Sequence, residues 1–297
     1  MIQVGNYEIA SVAGGYDRLD GGAMFGVVPK ILWEKTQDVD GQNRMRMALR
    51  VLVAVDRSAG RLILVDAAAG SRWERDEAER FAIEDDSAAV AGALAAFGFG
   101  ADDVTDLILT HLHFDHCGGA TLAAPGSSEE TGPRFPNATI WAHAAQWKHA
   151  SSPSVKDRAS YRAGDLRGIE HSGKLRLLDG HPPASPFPGV RWIVSNGHTP
   201  GQLLPLFEDD RRPLLFASDM IPTAAHLPLP WVMAYDLHPM TTIEEKERVL
   251  ALCRERDLRI AFCHDRRAGA VSVAFEKGKP RVGEVLDLDP PRVSIET

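Results

Sequence analysis

The residues best suited to chemistry are three histidines and one aspartate packed into six positions. The sequence from His111 to His116 reads His-Leu-His-Phe-Asp-His, and it follows an apolar run at 107–109 that predicts a buried strand. Imidazole and carboxylate are the ligand types that zinc and similar divalent ions prefer. A solvated histidine-rich loop is the alternative, but this spacing directly after a strand favours a metal site.

Three further strand-like runs lead into a residue that can bind a metal. Loops at the strand ends of a rigid sheet can converge on one site. Four such ends in one chain therefore indicate a single binuclear centre. These residues are His198, which follows the run 190–195, Asp219, which follows 213–217, and His264, which follows 258–263.

Together these motifs resemble the metallo-β-lactamase superfamily of hydrolases. The resemblance rests on HxHxDH, on Gly-His-Thr-Pro-Gly around His198, on Ser-Asp at Asp219 and on Phe-Cys-His-Asp around His264. It extends to an early strand with an aspartate, 62–66, and so covers nearly the whole chain. The stretches 20–26 and 230–236 are most similar to the branch that holds quorum-quenching N-acyl-homoserine lactone lactonases and methyl-parathion-type hydrolases.

The elements that must position these residues are predicted as strands and helices in one unit. Alternating strand-like and helical segments by themselves indicate a mixed α/β fold, and the resemblance implies a four-layer αββα sandwich. We predict a helix over 87–97, and a capping box at Thr242 predicts a second helix that ends near Arg256. No linker rich in Gly, Ser or Pro separates two domains, so residues 1–297 are expected to form a single domain.

The resemblance assigns each candidate ligand to a site. Asp219 would bridge the two ions, and Asp115 and Asp219 are the expected catalytic residues. Asp66 would orient a ligand histidine, with a strand-end turn as the alternative. Gly118 and Gly119 would let the backbone pack closely beneath the metals. The ligands of the first site would be His111, His113 and His198, and those of the second Asp115, His116 and His264.

The expected cofactors are two Zn²⁺ ions, with Mn²⁺, Fe²⁺ or Co²⁺ as alternatives in one site. Metal coordination lowers the pKa of water from 15.7 to about 7, which would provide a bridging hydroxide as the nucleophile. The sequence departs from the lactonases at Pro222, where they have a tyrosine, and Tyr235 is a candidate replacement. An apolar substrate wall is expected from Phe114, Trp231, Met233 and Tyr235.

The leading functional hypothesis is a hydrolase of a small lactone or ester, with an N-acyl-homoserine lactone as the specific candidate. An aryl phosphotriesterase of the methyl-parathion type and a thioesterase would use the same site. A ligand-sensing scaffold is the non-enzymatic alternative, but a complete set of ligands argues against it.

Composition limits the kinds of binding partner and the cellular location that we expect. A net charge of −8 and a pI near 5.8 argue against a nucleic-acid binder, and no apolar run is long enough to span a membrane. The N-terminal residues lack the features of a secretory signal, and three cysteines without CxxC spacing predict reduced thiols, so we expect a cytoplasmic protein. Buried packing is the favoured role of Cys117 and Cys263. The expected partner is a small-molecule substrate, and a homodimer is left open.

Overall fold

Two β-sheets lie face to face in this structure, a computed structural model that describes residues 1–123 and 130–291. Within these residues the strands are β1 (Ile2–Val4), β2 (Tyr7–Asp20), β3 (Arg44–Asp56), β4 (Arg61–Val65), β5 (Glu84–Asp85), β6 (Asp106–Ile108), β7 (Thr121–Ala123), β8 (Glu130–Pro133), β9 (Thr139–His143), β10 (Leu175–Leu178), β11 (Val190–Ser195), β12 (Gln202–Phe207), β13 (Leu214–Phe216), β14 (Arg259–Ala261), β15 (Ala270–Glu276) and β16 (Lys279–Leu286).

Along the chain, most helices connect one strand to a later strand. Those of the described residues are α1 (Gly21–Phe25), α2 (Lys30–Trp33), α3 (Arg75–Phe81), α4 (Ser87–Ala96), α5 (Phe114–Cys117), α6 (Ala144–Ser151), α7 (Ala163–His171) and α8 (Pro239–Arg256).

The first sheet has the order β1-β2-β3-β4-β6-β9-β10, with β5 paired to β2, and the second has the order β11-β12-β13-β14-β15-β16. Strands β4, β6, β9 and β10 run parallel to one another, so the loops after β4 and β6 leave the same edge of the sheet. In the second sheet β13 and β14 are parallel, which likewise brings their following loops together. These edges hold the candidate site.

Alternating burial along the strands produces the layers. Ile63 of β4 and Phe216 of β13 belong to the same buried cluster between the sheets. Leu64 faces the opposite way, toward α4, and Leu215 faces α8. The mixed α/β class and the αββα arrangement expected from the sequence are therefore confirmed. No helix among the described residues combines the length and the apolar character that a membrane crossing requires.

Helix α8 corrects one sequence expectation. It begins at Pro239, which is well suited to the first turn because its fixed φ is helical and its missing N–H needs no partner there. Thr242 is therefore inside the helix, and its N–H donates to the carbonyl oxygen of His238. The Glu245 carboxylate does not fold back as a cap; it accepts from Ser195 Oγ at 2.6 Å and from the N–H of Asn196 at 2.9 Å. The predicted capping box is wrong.

Candidate metal centre

The histidine-rich motif follows β6 and turns into the short helix α5. The N–H of Ala67, after β4, donates to the carbonyl oxygen of His116 at 2.7 Å and fixes α5 against the neighbouring loop. Gly119 makes this close approach possible, because a Cβ at that position would lie 2.0 Å from the carbonyl oxygen of Ala67. The expected tight packing beneath the motif is present.

Three of the predicted ligands form the first group of donor atoms. His113 Nδ1 lies 3.0 Å from His111 Nε2 and 3.1 Å from His198 Nε2. Asp219 Oδ2 completes the group, 3.2 Å from His198 Nε2 and 3.9 Å from His111 Nε2. All four side chains are buried.

The second group surrounds the other carboxylate oxygen of Asp219. Its Oδ1 lies 3.2 Å from His116 Nε2 and 3.0 Å from His264 Nε2. Asp115 Oδ2 lies 3.4 Å from each of the same two nitrogens. The two oxygens of one carboxylate thus face two separate groups of donors, which is the arrangement expected of a bridging ligand.

The donor set fits divalent cations. One ligand atom each of His111, His113, His198 and Asp219 lie within 4.8 Å of one another. The same holds for His116, His264, Asp219 and Cys263, so that Cys263 and not Asp115 completes the second group by this measure. The buried Nε2 of His116 lies close to the Asp219 and Asp115 carboxylates but makes no well-aligned hydrogen bond among the described residues, as expected of a nitrogen that faces a metal. Burial, and next the neighbouring His198, lower the pKa of His113 to about 3. That ring is therefore neutral near pH 7 and has a lone pair available for a metal.

Further contacts orient the histidines from behind. Asp66 Oδ2 lies 2.8 Å from His116 Nδ1, and its Oδ1 accepts from the N–H of Thr110 at 2.8 Å. The sequence predicted this position for Asp66. It missed Asp236, whose Oδ1 lies 3.0 Å from His198 Nδ1, and the carbonyl oxygen of Ala48, which lies 3.0 Å from His264 Nδ1.

Two other positions near the second group differ from simple expectation. Cys263 is buried, as predicted for a packing role, but its Sγ also donates to Asp219 Oδ1 at 3.1 Å. The alternation of side chains along a strand does not apply there, because β14 ends at Ala261 and the chain bends. Pro222, which replaces the lactonase tyrosine, supplies a carbonyl oxygen that accepts from the N–H of His264 at 3.0 Å.

A cavity of about 690 Å³, including its open mouth, lies over these groups. Phe114, Met233 and Tyr235, three of the four residues predicted to form a substrate wall, line it together with five of the seven donors. Trp231 was predicted to join them, but its ring packs edge-on against Phe25 with 5.7 Å between the centroids. The turn in which the N–H of Trp231 donates to the carbonyl oxygen of Pro228 directs the side chain into that cluster.

The lining of the cavity includes both apolar and polar side chains besides the donors. The apolar ones are Leu19, Met24, Met47, Phe81, Phe114 and Met233, and the polar ones from the segment before α7 are Lys156, Asp157 and Ser160.

Comparison with known proteins agrees with this arrangement. Residues 51–264 match the family model described as the metallo-beta-lactamase superfamily. A probable metal-dependent hydrolase from Staphylococcus aureus is 28% identical, with a TM-score of 0.84, 96% of this chain and 100% of that chain covered. Two further solved structures share the fold at lower identity. They are AidC, a dizinc quorum-quenching lactonase (19%, TM-score 0.75, 95% of each chain), and the hydrolase AbOPH of the beta lactamase superfamily (21%, TM-score 0.71, 96% and 97%).

The chain belongs to the metallo-beta-lactamase superfamily. With this family and the donor set described above, it is a metal-dependent hydrolytic enzyme. The superfamily predicted from the sequence is confirmed. The structure brings all seven predicted ligands together, and their individual roles remain predictions.

Proposed function

We propose that this protein is a binuclear zinc hydrolase of a small lactone or ester, with N-acyl-homoserine lactones as the leading substrate class. The observation that carries the proposal is the position of Asp219, whose two oxygens face two separate groups of histidines at the base of one cavity. One ion would be held by His111, His113 and His198, and the other by Asp115, His116 and His264. Ions bound there would lower the pKa of water and polarise a substrate carbonyl.

The chain's own polar groups supply the remaining steps. Burial raises the pKa of Tyr235, which lines the cavity, so its phenol stays protonated and can donate a hydrogen bond to the substrate carbonyl oxygen. This is the task that the tyrosine absent at Pro222 would perform. The Asp219 carboxylate lines the same cavity, where it would take the proton released by the attacking water and pass it to the leaving oxygen as the ring opens.

The apolar lining of the cavity supports an acyl substrate. Leu19, Met47 and Met233 belong to this lining. Each buried CH₂ of an acyl chain contributes about 0.8 kcal/mol of binding free energy. Longer acyl chains should therefore lower KM until the apolar lining is covered.

An aryl phosphotriester is the second candidate, because two aromatic rings line the cavity beside the donors. The rings of Phe81 and Phe114 lie 4.8 Å apart and can pack against an aryl group. The metal centre itself does not discriminate between the two reactions, so the walls of the cavity must decide.

The test combines metal analysis with a substrate panel. We expect about two zinc ions per chain, and kcat/KM that rises with acyl length and exceeds that of an aryl phosphotriester or a thioester. Met233→Ala should reduce the dependence on acyl length, whereas Trp231→Phe, outside the cavity, should preserve it. A faster phosphotriester with no effect of acyl length would favour the second candidate, and protein free of transition metal with activity resistant to chelators would refute both.

A further inference from the structure

Strand β2 buries an aspartate whose carboxylate makes no hydrogen bond within the described part of the chain. The Asp17 side chain is fully buried, and neither carboxylate oxygen has a hydrogen-bond partner among residues 1–123 and 130–291. Burial of an unpaired carboxyl group carries a large free-energy penalty. A buried group in this state calls for a physical explanation.

The strand register places Asp17 beside the metal centre. Asp17 lies opposite Met47 of β3, and Leu19, two residues further along β2, shares its face of the sheet. Leu19 and Met47 both line the cavity. The residue after Met47 is Ala48, whose carbonyl oxygen contacts His264 Nδ1. Asp17 is therefore behind the cavity wall, on the side of the second group of donors.

The charged groups that Asp17 faces belong to that group. Burial, and next the charge of Asp115, raise the pKa of Asp17 well above its ordinary value, while His264 and His116 act in the opposite direction. Asp219 adds to the repulsion. Hydrogen bonding within the described chain does not compensate for this carboxyl group, whereas a nearby cation would.

We propose that Asp17 is a charge-balancing residue of the metal centre, which strengthens the binding of a divalent ion by Asp115, His116 and His264. The inference rests on the metal centre of the proposed function and extends it to a residue outside the ligand set. In the metal-free protein the carboxyl group destabilises the fold. In the metal-loaded protein the positive charge of the ion offsets that penalty, so Asp17 couples metal binding to stability.

The test compares Asp17→Asn and Asp17→Leu with a matched control on the same strand. Ser11→Ala removes another buried β2 side chain whose oxygen has no hydrogen-bond partner in the described structure, but which carries no charge. Zinc dissociation constants are measured by chelator competition, and melting temperatures are measured with and without zinc. We expect both Asp17 variants to weaken the weaker zinc site by about 10- to 100-fold. Without metal they should melt at or above the wild-type temperature.

Ser11→Ala should bind zinc as the wild type does. Two outcomes would overturn the inference: wild-type zinc affinity in both Asp17 variants, or metal-free forms of both variants that melt well below the metal-free wild type. Because Asp17→Leu also replaces the carboxyl group with an apolar side chain of similar size, a folding defect in Asp17→Asn alone does not remove the test. A wild-type protein that binds no zinc would instead refute the proposed function, and this inference with it.

Discussion

Asp236 Oδ1 lies 3.0 Å from His198 Nδ1, and both side chains are buried. This contact directs the other ring nitrogen of His198 toward the first group of donors, as contacts behind a metal ligand commonly do. Asp236 belongs to the segment 227–236, which also carries the cavity residues Met233 and Tyr235. One segment therefore contributes both to the orientation of a ligand and to the surface that meets the substrate.

Two lysines hold that segment in place. Lys246 of α8 is buried and donates to the carbonyl oxygens of Pro228 at 2.9 Å, Leu229 at 3.3 Å and Trp231 at 2.8 Å. Lys156, which lines the cavity, donates to the carbonyl oxygens of Ala234 and Asp236. Irregular backbone on a rigid sheet is thereby fixed at the position that a binding site requires.

Asp236→Ala should weaken zinc binding by about 10- to 100-fold, because the ring of His198 loses the group that orients it. Asp236→Asn should be milder, since its amide oxygen can still accept from the ring. Zinc affinity is measured by chelator competition. Asp210→Ala, an exposed aspartate, is the control and should bind zinc normally. Equal affinity in Asp236→Ala and wild type would show that His198 is oriented without this contact.

Asp219→Asn and His113→Ala should abolish turnover. Asp219→Asn alters the carboxylate that both donor groups share, and His113→Ala removes a donor of the first group. His171→Ala should retain wild-type turnover, since its side chain is 68% exposed and lies outside both groups. Bound metal and melting temperature are measured beside the kinetics, because metal binding contributes to folding. An Asp219→Asn protein with two bound ions and full activity would contradict the bridging role.

Tyr235→Phe should lower kcat for the lactone by about 10- to 100-fold with little change in KM, since the hydroxyl would act mainly on the charge that develops on the carbonyl oxygen. Zinc content should be unchanged because Tyr235 belongs to neither donor group. Trp231→Phe is the matched aromatic control. If Tyr235→Phe instead raises KM and leaves kcat unaltered, the ring acts only as part of the apolar wall.

Three of the four strands that lead into ligands could be predicted from the sequence because they are buried on both faces. Every residue of β6, β13 and β14 is buried, so an apolar run predicts each strand directly. Strand β2 was missed although it has 14 residues. Polar residues and two glycines interrupt its apolar pattern, and an irregularity between Ala13 and Tyr16 shifts its register. The strand that carries Asp17 was therefore not identified.

The ligand set was predictable for a different reason: its motifs have fixed local spacing. Asp236 and the carbonyl oxygen of Ala48 have no such spacing relative to the histidines they contact, which lie 38 and 216 positions away. Those contacts arise only when the sheets have packed. The direction of the Trp231 side chain likewise depends on a turn. The apolar residues around Trp231 in the sequence do not specify that turn.

The final prediction concerns acid stability and a residue outside the site. Asp209 joins the β1–β2 turn to the β12–β13 turn: its carboxylate accepts from the N–H groups of Gly5 at 3.0 Å, Arg211 at 2.8 Å and Arg212 at 2.9 Å. The hydrogen bond from Arg212, then those from Gly5 and Arg211, lower the pKa of Asp209 to about 2. The stabilisation is therefore present above the unfolded-state pKa near 3.8 and is lost as the pH falls through about 2.

Asp209→Ala should lower the free energy of unfolding by about 1 to 2 kcal/mol at pH 7, and the difference from the wild type should shrink as the pH drops below about 4. Urea unfolding at pH 7, 5, 4 and 3 measures this, with Asp210→Ala as the control that should differ little from the wild type at any of these values. A difference that stays constant from pH 7 to pH 3 would show that the Asp209 carboxylate contributes no pH-dependent stability.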